Sequence, residues 1–361
     1  DHVITTGVGD LLSWPKSTLT NFVLRHVKKA VPSYRFANST KFRKALKQGA
    51  HEKLDVVELG FADIAYLQYT GGTTGVSKGA MLSHRNMVFN VHQTITWQHD
   101  VYDDVDRVIA ITALPLYHIF SLEGNCLTGM ELGGENVLIT NPRDFEGFAK
   151  DIADFDFNLF TGVNTIFALL MNTPSFDKID FSHLRVAIGG GMAVQPAVAK
   201  EWKQKTGQPI LQGYGLTETS PVAICCKIRD DFTGTIGLPV PSPDAIIAGD
   251  DGNPLPLGEV GEICIKGPQV MEGYWQRPKE TAEVMLPGGW LRTGDVGRMD
   301  EDGFFWIEDR KKDMILVSGF NVYPNEIENV VVELEGVLEA AAIGVPDERS
   351  GEAVKIFAVR K

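Results

Sequence analysis

Cysteine is scarce in this chain: 361 residues hold four, and none stands in CxxC spacing. A zinc knot or a disulfide scaffold is therefore excluded as the organising device, and a reducing, cytoplasmic setting is expected. Long apolar runs are missing as well. The nearest approach, Leu159 to Met171, is short and broken by Asn164, so no transmembrane helix is expected. Residues 1–16 carry Asp1, Asp10 and Lys16 around a weak apolar stretch, which is not the pattern of a signal peptide. Positive charge is in short supply: 34 Lys and Arg face 47 Asp and Glu, a formal net of −13. That balance lacks the basic footprint a phosphate backbone demands, and nucleic acid is excluded as the main partner. What is present is an apolar share of 43%, too high for a disordered chain. The length suggests two or three domains or subdomains, each able to bury a core.

The charge is unevenly spread. Residues 1–60 hold ten Lys and Arg against five Asp and Glu, a net of +5 within an acidic protein. The segment Asn21–Ala30 sets Phe22, Val23, Val27 and Ala30 at helical spacing, with Arg25, His26, Lys28 and Lys29 between them. A helix lying on a membrane surface has this pattern, and so does a plain helix with a solvated basic face.

From residue 60 to about 215, predicted strands alternate with predicted helices. Apolar runs at 64–69, 108–112, 136–140, 158–161 and 185–188 read as strands. Helical patterns fill 84–97 (with Ser83 as cap), 144–155, 163–173 and 194–205. This rhythm predicts an α/β fold in which parallel sheets are covered by helices. From about 231 short strands follow one another through turns such as Gly249–Gly252 and Asp300–Gly303, the clearest at 260–266 and 303–307. A small antiparallel β subdomain is expected there. A charged cluster at Arg310–Asp313 opens a third part: strand 314–317, helix 325–335 behind Pro324, and strands 338–345 and 353–359. Those roughly 50 residues are few for an independent core. Either they dock on the rest or the small α+β domain continues past Lys361. The expected domains are thus 1–230, 231–309 and 310–361.

The sharpest motif is Tyr69-Thr-Gly-Gly-Thr-Thr-Gly-Val-Ser-Lys-Gly79, read as following a strand and preceding a helix. Gly71, Gly72 and Gly75 let a backbone approach a polyanion and turn N–H groups toward it. Thr70, Thr73, Thr74 and Ser77 add hydroxyls, and Lys78 adds a cation. A phosphate group is the natural ligand. Lys78 follows Gly75 by three residues and precedes Gly79, so the Walker A spacing is absent and kinase-like phosphotransfer is set aside. Other groups are ambiguous by themselves. Glu218 reads as a carboxylate at a helix N-terminus, Asp295 as a turn residue after Gly294, Arg310 as a surface charge and His118 as a core histidine beside apolar neighbours.

Together the motifs resemble the adenylate-forming superfamily, which includes acyl-CoA synthetases, peptide-synthetase adenylation domains and beetle luciferases. The resemblance rests on the loop at 69–79, on Gly213-Tyr-Gly-Leu-Thr-Glu-Thr219, on Gly289-Trp-Leu-Arg-Thr-Gly-Asp295, on Asp309-Arg-Lys-Lys-Asp-Met314 and on Ser318–Glu328. It spans essentially the whole chain. The stretch Trp290–Ile315 and the segment Asn21–Ala50 look most like bacterial long-chain fatty-acid–CoA ligases.

The resemblance implies ATP-dependent activation of a long-chain fatty acid to acyl-AMP, with pyrophosphate released, and then transfer to coenzyme A. It implies ATP, Mg2+ and coenzyme A as cofactors or co-substrates. The loop residues Thr70, Gly71, Gly72, Thr73, Thr74, Gly75 and Lys78 would hold phosphates. Lys78, Thr74, His118 and Glu218 would be catalytic, with Glu218 the magnesium ligand and His118 bordering the carboxylate. Gly189, Gly190 and Gly191 would wall the adenine opposite Tyr214, with Gly213, Gly215, Thr217 and Ile307 also touching the nucleotide. Asp295 would hold the ribose hydroxyls and Arg310 a ribose or phosphate oxygen. Lys312 would be the hinge pivot and Gly319 would line the pantetheine tunnel. Phe120, Val163, Phe167, Met192 and Val222 are the candidates for the acyl pocket. A homodimer and peripheral contact with the inner face of a membrane are left open. So are activation of an aryl or amino acid and a non-catalytic nucleotide- or lipid-binding role. The family's adenylation lysine and its glycine–threonine context do not occur before Lys361, and no early N-terminal portion precedes Asp1. The chain is expected to be an internal piece, an engineered chain or the ordered part of a longer one, with adenylation impaired as it stands.

Overall fold

The structure, a computed structural model, describes residues 2–70, 77–228, 230–311, 313–318, 320–332, 334–347 and 349–360. The chain divides into two compact units, Asp1–Leu59 and Gly60–Lys361.

In the first unit β1 (Val3–Thr5) pairs in parallel with β2 (Ser39–Lys41). A helix runs from Lys16–Phe22 and widens into a π-helical turn at Val23–Val27. The helix therefore starts and ends earlier than the basic pattern at 21–30 suggests. Asn21 explains the early start. Its Oδ1 accepts from the Gly9 amide at 2.8 Å and its Nδ2 donates to Asp10 Oδ1 at 2.8 Å, so the loop before the helix is anchored to its middle.

The second unit opens with β3 (Ile64–Thr70) and β4 (Lys78–Ser83), which form an antiparallel pair. This corrects the expected strand–loop–helix order. The glycine–threonine stretch joins two strands, and the helix His84–Trp97 begins only after β4. Burial is the reason: Ala80 and Leu82 are fully buried, so the residues after the loop pack as a strand. Ser83 then caps the helix as expected, accepting from the Asn86 amide while its own N–H donates to Asn86 Oδ1. Residues 71–76 lie outside the described residues.

The main sheet is built from β5 (Ile109–Thr112), β6 (Glu135–Leu138), β7 (Leu159–Gly162), β8 (Val186–Gly190), β9 (Ile210–Gly215), β10 (Val222–Cys225) and β11 (Leu238–Pro239). Its order is β11-β10-β9-β8-β7-β5-β6. β6, β5, β7, β8 and β9 run parallel, and β10 and β11 are antiparallel additions. Period two splits the parallel strands between the faces. Phe160, Ala187 and Ile210 join one core cluster, with Trp202, Phe167 and Phe148 of the covering helices. Leu159, Val186, Ile188 and Leu211 turn to the other face.

β12 (Asp244–Ala248), β13 (Gly261–Lys266), β14 (Met285–Leu286), β15 (Trp290–Met299) and β16 (Phe305–Arg310) form an antiparallel sheet. The last sheet holds β17 (Ile315–Val317), β18 (Phe320–Val322), β19 (Val337–Asp347) and β20 (Gly351–Arg360), beside the helix Pro324–Val332. The main sheet ends at β11 (Leu238–Pro239) and the antiparallel sheet at β16 (Phe305–Arg310).

Candidate active site

A cleft of about 800 Å³ lies across one face of the main sheet. Alternation builds its floor: Leu159 and Thr161 of β7, Ile188 and Gly190 of β8, and Gly213 and Gly215 of β9 all line it. Open α/β sheets bind ligands at the carboxyl ends of their strands, and Gly190, Gly191 and Gly215 stand at such ends. The same alternation moves Gly189 out of the site. A Cβ there would meet Val194, Ile210 and Phe167 on the opposite face, so Gly189 supports packing and does not wall the cleft. Gly190 belongs to the wall because a Cβ would lie 3.0 Å from the Gly213 carbonyl oxygen and 3.1 Å from the Phe120 ring. Gly191 adopts φ +77°, the left-handed region that favours glycine.

At the mouth, β15 and β16 place Asp295 directly opposite Arg310. Arg310 Nε lies 3.3 Å from Asp295 Oδ1, and the Tyr214 hydroxyl donates to Asp295 Oδ2 at 2.7 Å. Asp295 is buried, so the Arg310 ion pair and the Tyr214 hydrogen bond help hold its charge where solvent does not. Burial, then the Asp295 charge, pushes the Tyr214 phenol far up, and it stays a hydrogen donor. Thr70, Thr217, Glu218, Asp295, Arg310 and Tyr214 all line the one cleft.

Glu218 is oriented from behind. The Tyr274 hydroxyl donates to Glu218 Oε1 at 2.6 Å, and Glu218 Oε2 accepts no hydrogen bond from the described residues. Lys78 does not line the cleft; its Nζ stands 5.0 Å from the centre of the Tyr274 ring. One carboxylate with an open oxygen suits Mg2+, which usually takes one or two protein carboxylates and completes its shell with water and phosphate oxygens. Among the described residues no group of three or more His, Cys, Asp or Glu is arranged to cage a metal.

His118 lines the cleft and caps the short helix Ile119–Ser121, its Nδ1 accepting from the Phe120 amide at 3.3 Å. Burial lowers its pKa, so the neutral ring is favoured, with Nε2 carrying the proton. Ile307 packs in the core beneath β15 and β16 and does not reach the cleft. Of the acyl-pocket candidates, Phe120 and Val222 line the cleft. Phe167 is fully buried in the opposite-face core, Val163 packs against that core and Met192 is exposed. Gly71, Gly72, Thr73, Thr74, Gly75, Lys312 and Gly319 lie outside the described residues.

Several lining residues carried no readable signal. Lys311 sits in the charged run 308–313, yet it lines the cleft and pairs with Asp250 at 2.8 Å, a contact that raises its pKa. Gln68 donates to the Tyr117 carbonyl at 2.6 Å and joins two rims of the cleft. Thr94, Trp97, Gln98 and Glu123 line it from the helical side. Only packing shows which face of those helices turns inward.

This constellation, set in one cleft of an α/β fold, is that of the AMP-binding enzyme class. The chain belongs to the AMP-binding enzyme family, whose main domain matches residues 12–275 and whose C-terminal domain matches residues 326–361. It is 54% identical, over its whole length, to the long-chain-fatty-acid–CoA ligase of Escherichia coli O6:H1, and 39% identical to that of Bacillus subtilis. The chain spans 64% of the length of each of these relatives. Among solved structures it resembles ATP-bound MatB from Rhodopseudomonas palustris, with 32% identity and a TM-score of 0.81 over 90% of this chain and 65% of that one. It also resembles the anthranilate–CoA ligase AuaEII in complex with anthranoyl-AMP, with 27% identity and a TM-score of 0.78 over 86% of this chain and 59% of that one.

Proposed function

We propose that the protein activates a long-chain fatty acid with ATP and passes the acyl group to coenzyme A. The observation that carries the reading is the convergence of Asp295, Tyr214, Arg310 and Glu218 on one cleft that continues past Phe120 into apolar lining. The names of the similar relatives support the substrate class.

In the first half-reaction a carboxylate oxygen of the fatty acid forms a bond to the α-phosphorus of ATP. The bond from that phosphorus to the bridging oxygen of the β-phosphate breaks, and pyrophosphate leaves. Two anions must meet, so the site has to neutralise and align more than supply a nucleophile. Asp295 accepts both ribose hydroxyls, and Tyr214 keeps that carboxylate turned to receive them. Arg310 and Thr70, which line the cleft, serve the phosphates, and the glycine–threonine sequence that follows Thr70 supplies further donors for them. Glu218 would hold magnesium, which would offset phosphate charge when bound. His118 donates Nε2–H to the substrate carboxylate and fixes its direction of attack. In the second half-reaction the thiol sulfur of coenzyme A forms a bond to the acyl carbon, AMP departs, and the thiol proton passes to solvent. Residues 1–230 and 231–309 serve the first step. Residues 310–361 belong to a domain that turns about Lys312 so that Gly319 meets the pantetheine in the second.

The reading extends to location: a cytoplasmic protein that meets its substrate at the inner face of a membrane. Among the described residues no helix is long and apolar enough to cross a membrane. Phe22 and Val27 are exposed beside Arg25, Lys28 and Lys29, the composition of a surface-seeking helix. Flotation with anionic liposomes checks this, and equal flotation of a Lys28→Glu, Lys29→Glu variant counts against it.

The decisive assay supplies ATP, palmitate and coenzyme A and identifies products. Pyrophosphate, AMP and palmitoyl-CoA are expected. Release of ADP, or turnover only with aryl or amino acids, overturns the assignment.

A further inference from the structure

The cleft has a depth that can be read from strand register. Gly190 pairs with Gly213, and further down β8 Val186 pairs with Leu159. Cleft-lining residues recur at alternate positions down this face: Gly215 and Gly213 of β9, Ile188 of β8, then Thr161 and Leu159 of β7. From Gly215 at the rim to the rung of Leu159 and Val186 is two steps along β9 and four along β8, about 20 Å. An extended palmitoyl chain has that length.

The helix His84–Trp97 descends beside the same depth. Asn90 exchanges two hydrogen bonds with the Val222 backbone, at the rung of Gly215. Trp97 donates from Nε1 to the Cys226 carbonyl at 3.0 Å, and the Cys226 amide donates to the Gln212 carbonyl, one rung below Gly213. The rise from Asn90 to Trp97 is about 10 Å and the run from Val222 to Cys226 about 13 Å, so helix and β10 lie side by side. Beyond Trp97 the chain turns under the sheet. Val101 and Tyr102 pack on the cluster that holds Ala110, Leu159 and Val186. Asp104 pairs at 2.9 Å with Arg185, the residue just before β8. Residues 98–104 therefore close the end of the sheet opposite the nucleotide rim.

Gln98 is buried and lines the cleft, whereas Val101 and Tyr102 stand behind it. The Tyr102 hydroxyl donates to Gln98 Oε1 at 3.2 Å, and burial pushes its phenol up, so it remains a donor. We infer that Gln98, backed by the Tyr102 ring and tethered by its hydroxyl, is the end wall of the acyl channel and limits the accepted chain to about the length of palmitate. Methylenes up to the wall are taken out of water; further ones must displace Gln98 or fold back. The inference rests on the fatty-acid reading above and deepens it.

The test measures Kd by titration calorimetry for acyl-sulfamoyl adenosines, in which a sulfamate stands for the α-phosphate, so binding is read without turnover. The acyl groups are octanoyl, dodecanoyl, palmitoyl and eicosanoyl. Wild-type affinity should tighten from octanoyl to palmitoyl and gain nothing at eicosanoyl. Gln98→Ala and Tyr102→Ala should each improve eicosanoyl relative to palmitoyl by about 10-fold, the worth of roughly two buried methylenes. Gln98→Phe, which fills the end, should weaken palmitoyl relative to octanoyl by about 10-fold, the same worth with the opposite sign. Should Tyr102→Ala fail to fold, the two Gln98 variants decide the matter from the cleft side. Wild-type affinity that keeps tightening to eicosanoyl, or ratios unmoved by both Gln98 variants, overturns the wall while leaving fatty-acid activation in place. Binding of no member of the series to the wild type overturns the parent reading, and the wall with it.

Discussion

The Tyr214 hydroxyl donates to Asp295 Oδ2 at 2.7 Å, joining residues 81 positions apart, while Arg310 Nε holds the other carboxylate oxygen from 3.3 Å. Asp295 reaches that point because β15 and β16 pair it with Arg310. Tyr214 reaches it from the end of β9 in a different sheet. A carboxylate at the mouth of a cleft is thus fixed from two sheets before any ligand arrives, which reduces the ordering cost of binding.

Tyr214→Phe removes one donor to that buried carboxylate. A hydrogen bond to a charged group contributes about 1.5–3 kcal/mol, so AMP affinity should fall about 10-fold or more. Titration calorimetry with AMP reads this directly. An unchanged Kd would mean that Asp295 is held well enough by its other contacts.

The open oxygen of Glu218 predicts a magnesium effect. Glu218→Gln should raise the magnesium concentration needed for half-maximal pyrophosphate release, with ATP saturating. Tyr274→Phe, which removes the 2.6 Å donor behind Glu218, should do the same to a smaller degree. If both variants follow the wild-type magnesium curve, the metal is held elsewhere.

Two glycines should separate folding from binding. A Cβ on Gly215 would lie 1.8 Å from the Pro221 carbonyl oxygen, so Gly215→Ala must displace backbone and should give little folded protein. A Cβ on Gly190 meets the Gly213 carbonyl oxygen at 3.0 Å and the Phe120 ring at 3.1 Å, contacts relieved by shifts of a few tenths of an ångström. Gly190→Ala should fold, lose about 1–3 kcal/mol, and show a raised KM for the fatty acid with melting only modestly lowered. Circular dichroism and steady-state kinetics distinguish the two outcomes.

Glu123 predicts a stability slope with pH. Its pKa rises from the ordinary 4.5 to about 7 on folding, so the folded protein holds this proton more tightly than the unfolded chain does. The penalty is absent below pH 4.5, grows between 4.5 and about 7, and is complete above 7. At about 1.4 kcal/mol per tenfold change in proton affinity it amounts to about 3 kcal/mol. Glu123→Gln should therefore gain stability over the wild type as pH rises through that window and gain little at acid pH. Urea unfolding of the two proteins at about pH 5 and pH 8 checks it. A stability difference that is the same at both would show that Glu123 is not the titrating group.

Much of the scaffold is legible in residue order. The apolar runs at 108–112, 158–161 and 185–188 become β5, β7 and β8, because a strand buried on both faces has few sequences open to it. Ser83 caps the helix the pattern assigns to it. The loop context is less legible. β4 hides in Lys78-Gly-Ala-Met-Leu-Ser83, a mixed string whose strand character comes from burial of Ala80 and Leu82 against distant residues such as Ile263 and Tyr274. Phe167 and Ile188 read alike as apolar, yet one packs in the core and the other lines the cleft.

Sequence by itself determined the chemistry on offer: a glycine–threonine stretch able to meet phosphate, a YGxTE segment with Tyr214 and Glu218, an acid at 295 and a base at 310. These are local facts, written in short strings whose composition survives any arrangement of the rest. Tertiary structure alone decided which of them meet. Gly190 faces the cleft and Gly189 the core because a strand turns alternate residues to opposite faces. Glu123 and Thr94 line one cleft because the helix His84–Trp97 packs on the turn Leu122–Leu127. Strand phase and helix packing are set by burial across the whole chain, and a local reading does not contain that sum.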